Sequence, residues 1–282
     1  MNYTIKNDKI SVTATDAGAE VLSVVVGEKE RVWQNPTGEW AGHGPLLFPV
    51  CGHFGVTVDG TSYPIKSHGF AKRETFALKD KGEDFITFSL SANEETRKVF
   101  PFEFLFNVTY RIDGNTLFIE YLVENPAQKP LYFACGGHES FALDEDVGEY
   151  EIRFEKEEKL VHYYHDKNGY LSGETKEYGN GQPLSLPADF LQDGETLIFK
   201  DVLSRKVNLA RKGGKPIISL TFEGFSNLLV WRAGKAKYVC IEPWTNLPDY
   251  ANTPDKEFSQ KEGVIKVEAN SSKKLVRTIS YL

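Results

Sequence analysis

Four apolar-flanked segments concentrate the side chains that can move a proton or hold a polar ligand. Residues 42–55 (GHGPLLFPVCGHFG) carry His43 and His53, and residues 67–76 (SHGFAKRETF) carry His68, Lys72 and Arg73. Residues 133–143 (FACGGHESFAL) carry His138 and Glu139, and residues 238–249 (YVCIEPWTNLPD) carry Glu242, Trp244, Asn246 and Asp249. Glu242 closes a strand-like run, and Pro243, which lacks an N–H, is expected to end regular pairing there. A carboxylate at the end of a buried strand, beside Trp244, loses solvation, which raises its pKa and makes it a better base. A strand-end glutamate in an ordinary salt bridge fits the same pattern. His138 follows Gly136-Gly137, and His68 precedes Gly69, so both imidazoles are expected on turns that only glycine forms easily. An imidazole can give or take a proton near neutral pH, although a lone histidine often serves only as a structural hydrogen-bonding group.

Other chemistries find less support. His162 and His165 have an HxxH spacing, but on a strand those rings point to opposite faces. Separated histidines with Glu242 could ligate zinc in principle, yet no compact ligand motif is present, and no metal is expected. No GxSxG occurs, Cys51, Cys135 and Cys240 have no adjacent base, and KGGK at 212–215 lacks the Walker pattern. The odd cysteine count, without paired spacing, reads as buried reduced thiols.

The elements that must position these residues are strands. Runs such as ITFSLSA, FEFLFNVTYRI, TLFIEYLVEN, PIISLTFEG and LLVWRA are short, β-branched or aromatic, and separated by turns such as Asp59-Gly60, Asp113-Gly114-Asn115 and Asp193-Gly194. Helical periodicity is confined to residues 93–99 and 187–192. Residues 165–183 are polar and rich in turn formers and read as a long loop, either functional or a plain surface excursion. The distribution predicts an all-β protein, a large antiparallel β-sandwich, with residues 1–282 as a single domain. Aromatics make up 13% of residues, which suits both a β core and the C–H faces of a sugar. A net charge of −7 argues against nucleic acid and against an anionic membrane surface. The N-terminus lacks a signal peptide and no window is apolar enough to span a membrane, so the expected location is cytoplasmic.

At these four segments the chain resembles the aldose 1-epimerase (galactose mutarotase-like) superfamily, and within it the LacX-like branch. The matching stretches are Gly44-Pro45-Leu46-Leu47-Phe48-Pro49 with Gly52, His68-Gly69-Phe70-Ala71, Gly136-Gly137-His138 with Phe141, and Cys240-Ile241-Glu242-Pro243-Trp244. The resemblance implies the family's β-supersandwich and a cofactor-independent isomerase of carbohydrate metabolism. It makes Glu242 the catalytic base, His138 the catalytic acid on the opposite side of the anomeric centre, and His68 a second histidine that contacts sugar. Asp201 is similar to a carboxylate that binds sugar hydroxyls, although a turn-forming aspartate fits it equally. His53, Lys72, Arg73 and Trp244 complete the expected substrate contacts. The partner expected is a small-molecule carbohydrate, with no nucleic acid and no membrane, and the chain as a monomer or weak homodimer.

Two departures bear on substrate. His53 and Lys72 stand where the family usually has arginines, whose planar forks hold vicinal hydroxyls or a phosphate. Arg73, as the strand neighbour of Lys72, would face away. A free hexose such as galactose or glucose is therefore expected rather than a hexose 6-phosphate. The rival readings are a hexose-6-phosphate mutarotase, a non-catalytic sugar sensor, and a lyase or metal-dependent ketol isomerase on a similar sandwich.

Overall fold

The computed structural model describes residues 1–180, 183–252 and 256–282. Its architecture follows from alternation. In the strand Thr116–Glu124, Leu117, Ile119, Tyr121 and Val123 are buried while the intervening residues are half-exposed, as a strand with one face on a core requires. That strand pairs with Leu105–Asp113 through the two-residue turn Gly114-Asn115, and on its other edge with Ser272–Tyr281. These form the middle of a nine-stranded sheet.

A six-stranded sheet has the order Ser140–Ala142, Tyr238–Trp244, Asn227–Trp231, Leu197–Phe199, Lys159–His165, Leu171–Asn180. The N-terminal strands Asn2–Lys6, Ile10–Thr15, Val21–Val26 and Lys29–Glu30 make a four-stranded sheet. All strand pairings in these sheets are antiparallel. One apolar cluster joins them. It takes Val12 and Val24 from the four-stranded sheet, Phe106 and Ile119 from the nine-stranded sheet, and Val230 and Ile241 from the six-stranded sheet. Each such side chain contributes roughly 1.5–3 kcal/mol when removed from water. The all-β sandwich expected from the sequence is the fold observed, with the N-terminal sheet added to the two main layers.

The two short helices fall where periodicity placed them, at Glu94–Val99, capped by Asn93, and at Ala188–Gln192. Three local expectations are corrected. The stretch 165–183 is largely the hairpin of Lys159–His165 with Leu171–Asn180; residues 181 and 182 lie outside the described residues. The strand Leu171–Asn180 sits at the sheet edge and is exposed from Ser172 to Glu177, so that stretch carries no apolar alternation to read. Pro243 does not end its strand, which runs on to Trp244 opposite Asn227. Its nitrogen faces the side where its carbonyl accepts from Gly137 N, away from Asn227–Trp231, so no ladder bond to that neighbour is lost. Lys72 and Arg73 lie in a 3-10 turn, Ala71–Arg73, and not in a strand. Among the described residues no helix is long and apolar enough to cross a membrane.

Candidate active site

The strand Tyr238–Trp244 is buried at every position, and its two-residue period divides the side chains between two environments. Val239 and Ile241 enter the main core, whereas Cys240 packs with Trp33 and Tyr238, and Trp244 packs with Leu47, Leu171, Ile198 and Leu229. Glu242 lies between Cys240 and Trp244 on that second face. Leu229 pairs with Glu242 across the ladder, and Ile198 pairs with Leu229. This row, Glu242–Leu229–Ile198, floors a cleft of about 720 Å³.

His138 is brought over the row by a turn that two glycines permit. A Cβ at Gly137 would stand 1.8 Å from Arg277 Nη1, and one at Gly136 would stand 2.6 Å from Trp244 Cδ1. Main-chain bonds fasten the turn to the glutamate strand: Gly137 N donates to Pro243 O at 3.1 Å, and Trp244 Nε1 donates to Gly137 O at 3.2 Å. Below the turn, Arg277 reaches out of the strand Ser272–Tyr281, wholly buried. It donates to Glu139 through Nη1 and to Tyr121 Oη through Nη2 at 2.6 Å. A buried charge of this kind is tolerable only when paired and hydrogen-bonded.

The result is a contact of 3.4 Å between His138 Nε2 and Glu242 Oε2. The two groups stand side by side at the floor of the cleft. Trp40 stacks on the His138 ring at 5.2 Å and Trp231 meets it edge-on at 5.6 Å. Burial, and after it the charge of Glu139, pushes the Glu242 carboxyl well above the usual carboxylate range. Burial, with the nearby Lys72 ammonium adding to it, pushes the His138 imidazole down to about 3. Both shifts oppose charge, as desolvation does. Burial thus favours the arrangement in which Glu242 is protonated and His138 is neutral over the one in which both are charged.

His68 is held at φ +63°, and its Nδ1 accepts from Gly52 N at 3.1 Å. Burial also drives this ring well below an ordinary imidazole. A neutral ring accepting at Nδ1 carries its hydrogen on Nε2, so His68 is an N–H donor. Its ring lies 5.3 Å from Trp244 and 5.9 Å from His138. Gly69 beside it must be glycine, because a Cβ there would fall 2.1 Å from Phe48 O at φ +69°.

His53, Lys72, Arg73 and Trp244 all line the same cleft, together with Glu20 and His165. Because Ala71–Arg73 is a 3-10 turn, Lys72 and Arg73 do not diverge as strand neighbours would. Arg73 Nη1 donates to Gly69 O at 2.6 Å. Neither cation has a carboxylate within ion-pair distance among the described residues. Asp201 is not brought to this cleft. It sits at φ +50°, largely exposed, 3.9 Å from Lys200, beside a separate pocket of about 230 Å³ that Asn246 and Asp249 also line. Its place is that of the turn-forming aspartate. Asn246 is taken up by Cys51, accepting from its N at 3.0 Å and donating to its O at 2.9 Å, and Asp249 by Lys261 at 2.6 Å. His43 lies 3.9 Å from Glu20 and does not line the cleft. His162 packs within 5.5 Å of Phe190 while His165 faces the cleft, so the two rings diverge as expected.

Trp40, Trp231 and Glu20 were not legible in the sequence as site residues. The excess of aromatics was the only signal for the two tryptophans, and it names no position. Glu139 was noted as a candidate group, but its partner Arg277 lies 138 residues away and reads as one basic residue in an ordinary strand.

Comparison with known proteins gives the family. The model of the aldose 1-epimerase family matches residues 1–264. The chain is 28% identical over 267 residues to the chromosomal LacX protein of Lactococcus lactis subsp. lactis, covering 88% of each chain. A galactose mutarotase-like protein of Lactobacillus casei superimposes with a TM-score of 0.90 at 28% identity, over 100% of both chains. A galactose mutarotase related enzyme of Lactobacillus acidophilus gives 0.88 at 28% identity, over 100% of this chain and 97% of that one. The chain belongs to the aldose 1-epimerase family, in its LacX-like branch.

Proposed function

We propose that the protein is a cofactor-independent mutarotase that interconverts the α and β anomers of a free hexose such as galactose or glucose, residues 1–282 acting as a single domain. The observation that carries this reading is the 3.4 Å contact of His138 Nε2 with Glu242 Oε2 on the floor of a sugar-sized cleft. Mutarotation requires that the anomeric hydroxyl lose a proton while the ring oxygen gains one. Those two oxygens are bonded to the same carbon, so an acceptor and a donor standing side by side suit them. The Glu242 carboxylate takes the O1 proton, the C1–O1 bond becomes a carbonyl, the C1–O5 bond breaks, and His138 delivers its proton to O5. Rotation about C1–C2 then presents the other carbonyl face, and closure reverses both transfers.

The proton count of the pair matches the cycle. The charged arrangement, carboxylate with imidazolium, opens the ring. The neutral arrangement, favoured by burial, is what opening leaves behind and is ready for closure. Exchange between the two needs only one proton hop across the contact. His68 Nε2–H is a donor for a sugar hydroxyl, and Trp244, Trp40 and Trp231 offer aromatic surface for C–H faces.

A second reading is favoured by Lys72 and Arg73, both lining the cleft and, among the described residues, without a carboxylate at ion-pair distance. Two unpaired cations suit an anionic substituent, so a hexose 6-phosphate is the alternative substrate. Anomeric exchange followed by NMR on galactose, glucose and their 6-phosphates tests both. Faster exchange of the free hexoses supports the first reading. Acceleration confined to the phosphates, and lost in Lys72→Met, would replace it with the second.

A further inference from the structure

His138 and Glu242, which line the cleft, converge with the buried Cys240. One ring nitrogen, the thiol sulfur and one carboxylate oxygen all lie within 4.8 Å of one another. Cys240 and Glu242 are two residues apart on one strand and therefore share a face, while His138 enters from the glycine turn above them. The 3.4 Å between His138 Nε2 and Glu242 Oε2 is close to the edge of about 3.3 Å expected between two ligands bound about 2.0–2.1 Å from a tetrahedral zinc ion. Glu242 is 1% exposed, yet among the described residues its Oε2 has no hydrogen-bond partner. A buried acceptor left in that state is a ligand atom waiting for a proton or a cation. Cys240 is a free, buried thiol. Its sulfur selects for zinc-like ions over magnesium or calcium, which prefer all-oxygen sites.

We propose that these three side chains bind one thiophilic divalent cation of the zinc class, and that its occupancy silences the sugar site. The silencing rests on the acid–base reading above; the binding does not. The donor set is one neutral nitrogen, one thiolate and one carboxylate, and it leaves a fourth position open toward the cleft for water or a sugar hydroxyl. The two anionic ligands offset the ion's charge against the repulsion of Lys72 on the cleft wall. On binding, the thiol and the His138–Glu242 pair each release one proton to solvent, and the ion occupies the lone pairs on that pair which proton transfer requires. The ion is thus a competitor of the shared proton and not an aid to the reaction.

Cobalt(II) is the probe, added to the metal-free full-length chain in the absence of sugar. One ion per chain, with a thiolate-to-cobalt charge-transfer band in the near ultraviolet that zinc displaces, is the expected result. Cys240→Ser and Cys240→Ala lose the band, with affinity falling by at least the roughly 10–100-fold that even an outer-shell change costs. Both variants turn over sugar in chelator as the wild type does, and zinc no longer inhibits them. A wild type without the band, a band that survives in both variants, or a zinc-saturated wild type with unchanged turnover would overturn the proposal. Failure of the chelated wild type to accelerate mutarotation would count against the acid–base reading alone, because the cobalt spectrum is read without sugar.

Discussion

On the proposed mechanism Glu242 and His138 work with one proton between them, and their surroundings determine when that count holds. Burial raises Glu242 well above the ordinary carboxylate range and lowers His138 to about 3. A second proton enters the pair only near that low value, and the last proton leaves only at the raised value of the carboxyl. The profile of kcat/KM against pH is therefore expected to have its acid limb near the low His138 value and its second limb above the usual carboxylate range, where the pair empties. An NMR titration in which the His138 ring protonates near pH 6.5, the ordinary imidazole value, would show that His138 is not held as described. At this scale the sequence was informative about identity and silent about arrangement. Glu242, His138 and His68 could be singled out because each stands where an apolar run meets proline or glycine. The adjacency of Glu242 and His138 goes with the Gly137 N to Pro243 O bond, which joins segments far apart in the chain. Asp201 was ambiguous between a turn and a ligand for the same reason: a loop aspartate satisfies either pattern locally.

The element that carries most of the positioning is the glycine turn over Arg277. Methionine at position 277 would fill much of the same volume but leave Glu139 as an unpaired charge with little solvent. Such a loss costs about 3–5 kcal/mol. Arg277→Met is expected to lower the urea midpoint accordingly, and adding Glu139→Gln is expected to recover part of the loss, since the two changes act on one network. Equal and additive losses in the two single variants would show that the ion pair is not the source. None of this was legible in the sequence, where Arg277 is one of several basic residues in a C-terminal strand. The strands themselves were legible wherever one face is buried, as in TLFIEYLVE. They were hidden where both faces meet water, as from Ser172 to Glu177 of the polar edge strand Leu171–Asn180. Lys72 and Arg73 were placed on opposite faces by strand geometry, and the 3-10 turn after the left-handed His68-Gly69 pair reversed that. A turn of this kind depends on the close approach of Gly69 to Phe48 O, which a short local window does not contain.

For the whole molecule, the three larger sheets share one apolar cluster, and the cleft lies on the opposite face of the six-stranded sheet. Removing any sheet would strip the core of the others, so calorimetry is expected to show one transition with equal calorimetric and van't Hoff enthalpies. Two resolved transitions would divide the chain into separate folding units and contradict the single domain proposed here. On the proposed mechanism the walls of the cleft hold the sugar while its floor accepts one proton and donates another. The most direct test is polarimetry of freshly dissolved α-D-galactose and α-D-glucose with wild type, Glu242→Gln and His138→Asn. Rapid equilibration by wild type, slowed by about 10²–10⁴-fold in each variant while sugar binding persists, is the predicted result. A folded wild type that accelerates neither sugar, or a Glu242→Gln protein as fast as wild type, would contradict it.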